Sequence, residues 1–404
     1  MSIAVAILGL AVLILVHEAG HFFVARAVGM SPRRFYIGFP PALVKVRRRG
    51  IEYGIGAIPL GGYVKIPGMH RPAASDLDVW FGRALQEAPD LVPLVEQVKR
   101  PLASGDLSGA QHALTLLERA LREAALSPEA LRPAERGARE LADGLAGDAY
   151  WRQAAWKKIA VIGAGPATNL VLAVLLFAAL FLTGAGRATT TIDSVLSGSP
   201  AQRAGLQSGD RLLAIDDRPV RATDISERIG SSRGQALELL VERDGRELTL
   251  GPARPRRDGD AYRLGFVLRG EGLSAPHALW ESIEVTGIVT REIGKSLGRL
   301  VQGEGREDVS SPVGIVQGSS DALEQSAQTF LWVLGLISLS LALLNLLPLL
   351  PLDGGHIVFS VIEGLRGRAM GREVYERVSA VGIALVLILF VIGLSNDVGR
   401  LGGG

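Results

Sequence analysis

Residues 11–30 read AVLILVHEAGHFFVARAVGM, and they decide how the rest of the chain is understood. The stretch is apolar enough to lie in a bilayer, yet it carries His17, Glu18 and His21. On a helix, histidines four residues apart project from the same face. Two imidazoles so placed can hold one metal ion, for which Zn²⁺ is the usual choice. Glu18, beside the first of them, is positioned to take a proton from a metal-polarised water whose pKa falls towards ~7. The competing reading is a polar trio that only packs helices together. Polar groups in a membrane segment are too costly to keep without a use, and the chain has only six histidines. A cleaved signal peptide is another alternative, helped by Ala25-Arg26-Ala27. Against it, the start MSI has no basic residue, the apolar run is too long, and cleavage would discard HEAGH.

Composition points to a membrane protein. Of 404 residues 48% are hydrophobic and the mean hydropathy is positive, which is unusual for a wholly soluble chain. Without cysteine there are neither disulfides nor thiolate metal sites. A net charge of +2 offers no global case for nucleic-acid binding. Apolar stretches at about 3–25, 159–182, 330–352 and 379–395 each approach the ~20 residues that cross a bilayer core. From Arg26 to Arg49 there are seven Lys or Arg and no acid, and further basic residues stand at Lys157, Lys158, Arg366, Arg368, Arg372 and Arg377. With four alternating spans all of these share one side, which the positive-inside rule makes cytoplasmic. Both termini and residues 184–329 are then expected outside.

Residues 51–66, IEYGIGAIPLGGYVKI, punctuate β-favouring residues with glycines and predict strands or a hairpin near the membrane. From 74 to 150 the pattern turns helical with mixed charge, as in HALTLLERALREAA, which predicts a soluble cytoplasmic insertion without a catalytic constellation. Residues 189–269 predict a compact soluble unit: a strand, a short helix after Ser199-Pro200, a glycine turn, a second strand, and a hairpin turning at Asp244-Gly245. This unit resembles a PDZ domain in the circularly arranged form of bacterial membrane and periplasmic proteases. The resemblance rests on Gly198-Ser199-Pro200-Ala201, Ala204-Gly205-Leu206, Gly209-Asp210 and the following LLAIDDRPV. Such domains can bind peptide ends by strand addition; the alternative is a small β unit serving only as a plug. Residues 277–300 predict an amphipathic helix lying on the membrane or against that unit.

A catalytic zinc wants a third protein ligand. NLLPLLPLDGGH at 345–356 offers Asp353, where Pro348 and Pro351 break a helix and two glycines let the backbone turn. Alone, Asp353 reads equally well as a turn residue at a membrane exit; beside an intramembrane HEAGH, ligation is the better reading. His356 competes, but three residues on it is expected beyond the turn. Asn345 either hydrogen-bonds between helices or binds substrate backbone or a developing oxyanion. GAGPATN at 163–169 opens an apolar span instead of following a strand, so it is read as small residues for close helix packing and not as a nucleotide site. No P-loop is present, and no nucleotide is expected.

Together, HEAGH in the first span, Gly56 to Lys65 (GAIPLGGYVK), GPATN in the second span, the PDZ-like unit and NLLPLLPLDGGH resemble the site-2 protease family of zinc intramembrane metalloproteases, nearest its bacterial regulated-intramembrane-proteolysis branch. The resemblance implies a polytopic α-helical membrane protein of about four transmembrane helices, with an extracytoplasmic PDZ domain, a membrane-associated β region and a cytoplasmic helical insertion. Expected boundaries are 1–27 for the first span, 28–70 for the β region and 71–150 for the insertion. The second span comes next at 151–183, the PDZ domain at 184–272, and an amphipathic helix with linker at 273–329. The third span is expected at 330–356, a cytoplasmic loop at 357–378 and the fourth span at 379–397. The resemblance implies one zinc per chain held by His17, His21 and Asp353, with Glu18 as general base. It further implies that Asn345 engages substrate and that Gly61, Gly62 and Tyr63 belong to a β-structure presenting substrate in extended form. The implied partners are a single-span membrane protein such as an anti-sigma factor, a peptide ligand of the PDZ domain, and the lipid bilayer of a bacterial inner membrane. Only the insertion finds no match in the family pattern. The reading from another class is a membrane-anchored PDZ scaffold without protease activity, which would carry no zinc; a metal transporter is weaker, because the spans supply too few acids and histidines.

Overall fold

The computed structural model describes residues 2–185, 187–258, 261–306, 309–368 and 370–402. Among them four helices are long and apolar enough to cross a membrane: Ser2–Ala27, Ala155–Gly184, Ala327–Asn345 and Glu373–Arg400. The last outruns its apolar stretch at both ends, because Glu373, Glu376 and Arg377 continue the helix with polar residues. Two compact units emerge, one of residues 1–172, 292–325 and 336–404, the other of 173–291 and 326–335.

In the first unit, α1 (Ser2–Ala27) runs unbroken until Gly29, whose φ of 88° lets the Met30 N–H return to the Ala25 carbonyl at 2.8 Å and stop the helix. Strands β1 (Arg34–Arg48) and β2 (Ile51–Lys65) come after it, joined by Arg49-Gly50 with both φ angles positive, as a tight hairpin turn needs. Both strands bend, so that residues 34–37 pair with 52–55 on one side and with 62–65 on the other. Among the described residues no other strand pairs with Gly62–Lys65, which leaves that segment at the edge of the sheet. The bent arm beyond is apolar and exposed at Phe39, Leu43, Val44 and Ile58.

Four helices, α2 (Ala74–Glu87), α3 (Val92–Ser104), α4 (Leu107–Glu123) and α5 (Pro128–Leu145), form the insertion. Each presents an apolar stripe, in α4 Ala110, Ala113, Leu114, Leu117 and Leu121, and the stripes close a core with Leu77, Phe81, Val98 and Leu141 fully buried. Asp106 and Ser127 cap α4 and α5 through Gly109 N–H at 2.9 Å and Ala130 N–H at 3.3 Å. Ion pairs tie this bundle to the sheet: Arg33 to Asp143 at 2.8 Å and Lys65 to Glu140 at 2.6 Å.

The chain continues as α6 (Ala155–Leu180). In the second unit, strands β3 (Arg187–Val195), β4 (Arg211–Ile215), β5 (Arg218–Pro219), β6 (Leu237–Arg243) and β7 (Arg246–Ala253) are followed by a small hairpin, β8 (Arg256–Asp258) with β9 (Ala261–Arg263), and by β10 (Phe266–Glu271). The sheet order is β10-β3-β4-β6-β7, with β5 off β4. Short helix α7 (Pro200–Arg203) starts where Ser199-Pro200 predicts it, and α8 (Ala222–Ser231) adds Ile225 and Ile229 to the core. Alternate residues of β6, Leu237, Leu239 and Val241, point inward, and its hairpin to β7 turns at Asp244-Gly245 with φ of 50° and 75°. Asp210 is buried and grips Arg243 at two points, Nε to Oδ1 at 2.6 Å and Nη2 to Oδ2 at 2.7 Å. Burial alone would raise the Asp210 carboxyl; the Arg243 hydrogen bonds outweigh it and hold the group below its ordinary value. A depressed carboxyl stabilises above its unfolded pKa of about 3.9 and loses that contribution as pH falls through the folded value. We therefore expect Asp210→Ala to cost this unit about 3 kcal/mol at neutral pH, and the loss to shrink below about pH 4, as urea titrations at both pH values would measure. A cost independent of pH would refute the assignment.

Helices α9 (Ala275–Val301), α10 (Pro312–Gln325), α11 (Ala327–Asn345), α12 (Asp353–Arg366) and α13 (Arg372–Gly402) complete the chain. Here the structure corrects the sequence reading. The third span is not one element to residue 356: α11 stops at Asn345, residues 346–352 are irregular, and Asp353 opens a new helix. The expected loop 357–378 is helical to Arg366, because GGHIVFSVIEGLR has apolar residues at helical spacing once past Pro351.

Candidate metal centre

His17 and His21 project from one face of α1 as their spacing requires, and Asp353 meets them from the first turn of α12. Nε2 of His17 lies 3.2 Å from Nε2 of His21; Oδ2 of Asp353 lies 3.2 Å from the first and 3.4 Å from the second. Among the described residues this is the one group of three or more ligating side chains close enough to share an ion. All are buried or nearly so.

The tautomer of His21 is set by its surroundings. Its Nδ1 stands 2.8 Å from the Val161 carbonyl of α6, which can only accept, so Nδ1 carries the proton and Nε2 offers a lone pair to the centre of the triangle. A lone pair and a carboxylate oxygen aimed at one point repel each other unless a cation lies between them. Zinc bonds of about 2.0–2.2 Å in a tetrahedron give ligand separations of about 3.3–3.5 Å, close to the three edges of 3.2, 3.2 and 3.4 Å. The donor set, two nitrogens and an oxygen, suits Zn²⁺ equally well.

Helix α6 backs the site at close range. A Cβ at Gly165 would lie 2.6 Å from Cε1 of His21 and 2.8 Å from Cε1 of His17, so only glycine fits there. One at Gly20 would meet the Ala164 carbonyl at 2.6 Å and Thr168 Oγ1 at 2.7 Å. Farther along α6, buried Lys158 donates to Glu363 of α12 at 2.9 Å, and the other Glu363 oxygen accepts from the Met370 N–H at 2.8 Å. The helix carrying Asp353 is thus clamped to the helix carrying Val161.

Glu18, next to His17 on α1, is buried and also lies against the sheet. A Cβ on Gly62 would lie 2.8 Å from its Cγ, so this end of β2 lies directly against Glu18. Gly61, at φ 143°, lies against the Phe39 ring, and Tyr63 stacks on Tyr36 at 5.2 Å. The Tyr36 hydroxyl donates to Glu52 at 2.7 Å; burial and that carboxylate push it up to about 12, so it stays a donor and braces the sheet. Asn345 ends α11 with its amide donating to the Leu341 carbonyl at 3.0 Å, outside the triangle. The supports from Val161, Gly165 and the Lys158–Glu363 pair escape sequence reasoning. A backbone carbonyl has no sequence signature, and GAGPATN names the small residue without naming what it touches.

The chain matches the profile of Peptidase family M50 over residues 5–389. It is 31% identical to a chain of Agrobacterium fabrum carried under the provisional name of zinc metalloprotease, over 98% of this chain and 95% of the other. It is 27% identical to the "Probable protease eep" of Enterococcus faecalis, over 96% of each chain. It is 29% identical to the metalloprotease MmpA of Caulobacter vibrioides, over 97% of this chain and 94% of that one. With a matched profile spanning nearly its whole length, this membrane protein belongs to peptidase family M50, the zinc-dependent site-2 proteases.

Proposed function

We propose that this enzyme cleaves the transmembrane segment of single-span membrane proteins, with His17, His21 and Asp353 holding its zinc and Glu18 acting as general base. The observation that supports the reading is the ligand triangle between apolar α1 and the first turn of α12, with the Glu18 side chain beside it and against an unpaired strand edge. When bound, zinc supplies Lewis-acid polarisation of a water, lowering its pKa towards ~7. Glu18 takes the proton from the attacking water. Val161 keeps the proton of His21 on Nδ1 and so keeps Nε2 available. The free edge of Gly62–Lys65 receives the unwound substrate as an added strand, with its freed backbone groups paired and its scissile bond at Glu18. Gly61, Gly62 and Tyr63 make that platform, and Asn345, on turning from Leu341, engages the substrate backbone.

We further assign residues 184–272 as an extracytoplasmic PDZ domain that filters substrates, and 71–150 as cytoplasmic. The membrane is a bacterial inner membrane, and anti-sigma factors are the favoured substrate class. A reporter single-span substrate reconstituted with the enzyme in vesicles tests the core of this. Chelation should stop cleavage, and one equivalent of Zn²⁺ should restore it. Cleavage that persists in metal-stripped enzyme would sink the assignment.

A further inference from the structure

The strand edge beside Glu18 does not end in open solvent. From Gly62 to Ile66 the chain covers about 13 Å at the strand rise of ~3.3 Å per residue. Along that length runs a cavity of about 520 Å³, lined by Tyr63, Ile66, Met69, Arg71, Pro72 and Trp80. Arg71, Pro72 and Trp80 belong to the insertion. Trp80 is held in place: a Cβ on Gly137 of α5 would lie 2.6 Å from its Cγ, so that glycine lets the indole sit flat against α5. The remaining face of the indole is half-exposed and turned to the cavity. A rigid aromatic wall of this kind binds an apolar side chain without much ordering cost. The Lys65–Glu140 ion pair at 2.6 Å joins the strand edge to the insertion at the cavity wall.

We infer that the insertion is a substrate-reading wall, and that this cavity takes the extended stretch of the substrate lying three to five residues to the cytoplasmic side of its cut bond, with a bulky apolar side chain against Trp80. The inference rests on the edge-strand reading proposed above. Continuity names the occupant. A chain hydrogen-bonded along Gly62–Lys65 with its bond at Glu18 has to pass through this gap, and its backbone satisfies the unpaired edge that the cavity exposes.

The test uses full-length Glu18→Gln enzyme in lipid vesicles with the reporter substrate, carrying a photo-crosslinking phenylalanine analogue at Tyr63, at Trp80 or at exposed Arg71. Crosslinks from Tyr63 and from Trp80 or Arg71, the latter mapping farther to the cytoplasmic side, are expected. Arg71 covers the case in which the insertion does not fold with Trp80 replaced. Crosslinks from Tyr63 alone overturn this inference and leave the edge-strand reading standing; crosslinks from none of the three bring down both. In active enzyme, Trp80→Ala should raise KM about tenfold with kcat within twofold, the mark of lost uniform binding. An unchanged KM with the insertion folded would overturn the assignment of the wall.

Discussion

Glu18→Gln enzyme should retain one zinc per chain and cleave the reporter substrate slower by on the order of 10³-fold, within the range that a positioned general base supplies. The substitution is nearly isosteric, so it disturbs neither the approach to Gly62 nor the histidine triangle. What the amide cannot do is take a proton. Metal content by elemental analysis and turnover in vesicles separate the two roles. Turnover within tenfold of the parent would remove Glu18 from the chemistry, and loss of zinc would instead make it a structural support.

The second large effect comes from a residue with no functional group. Gly165→Ala should strip the enzyme of its metal and with it all measurable turnover, while the chain still inserts into the membrane. By helix propensity alone the change favours the helix by about 1 kcal/mol. The methyl, however, would fall among the ring atoms of His17 and His21. His21 has no room to yield, because its Nδ1 is fixed to Val161 on the same helix as the intruding methyl. Gly163→Ala is the matched control: its added methyl would meet only Ile357, at 3.9 Å, and full zinc occupancy is expected. If Gly165→Ala also binds a full equivalent of zinc, the close backing by α6 has no part in shaping the site.

The sequence exposes those parts of this molecule that repeat or that cost energy. Apolar runs mark the spans because a bilayer tolerates little else, and the mixed-charge periodicity of the insertion marks helices that build their own core. HEAGH is legible because ionisable groups inside an apolar helix demand an explanation. Asp353 is legible only in company, since an aspartate before two glycines has an ordinary use at a turn. Contacts between distant segments stayed hidden. Nothing in NLLPLLPLDGGH says that the chain re-enters a helix at Asp353, because prolines report where a helix breaks and not whether another begins. The clamp of Lys158 on Glu363, 205 residues on, is equally silent. Asn345 illustrates the opposite limit: its type and place suggest substrate contact, yet its amide is turned back to its own helix.

Asp353 stands 332 positions after His21 (353 − 21), and that separation governs when the enzyme can come alive. On the proposed ligand set, a nascent chain whose first helix is already in the bilayer carries two imidazoles and a base but no third donor. The triangle closes only after Asp353 has left the ribosome and α12 has docked against α1 and α6. A protease that, on the proposed reading, cuts chains threaded through a membrane is itself such a chain while it is being made. Splitting its metal site between two helices so far apart in the chain keeps it inert among its neighbours until both have been made and have docked.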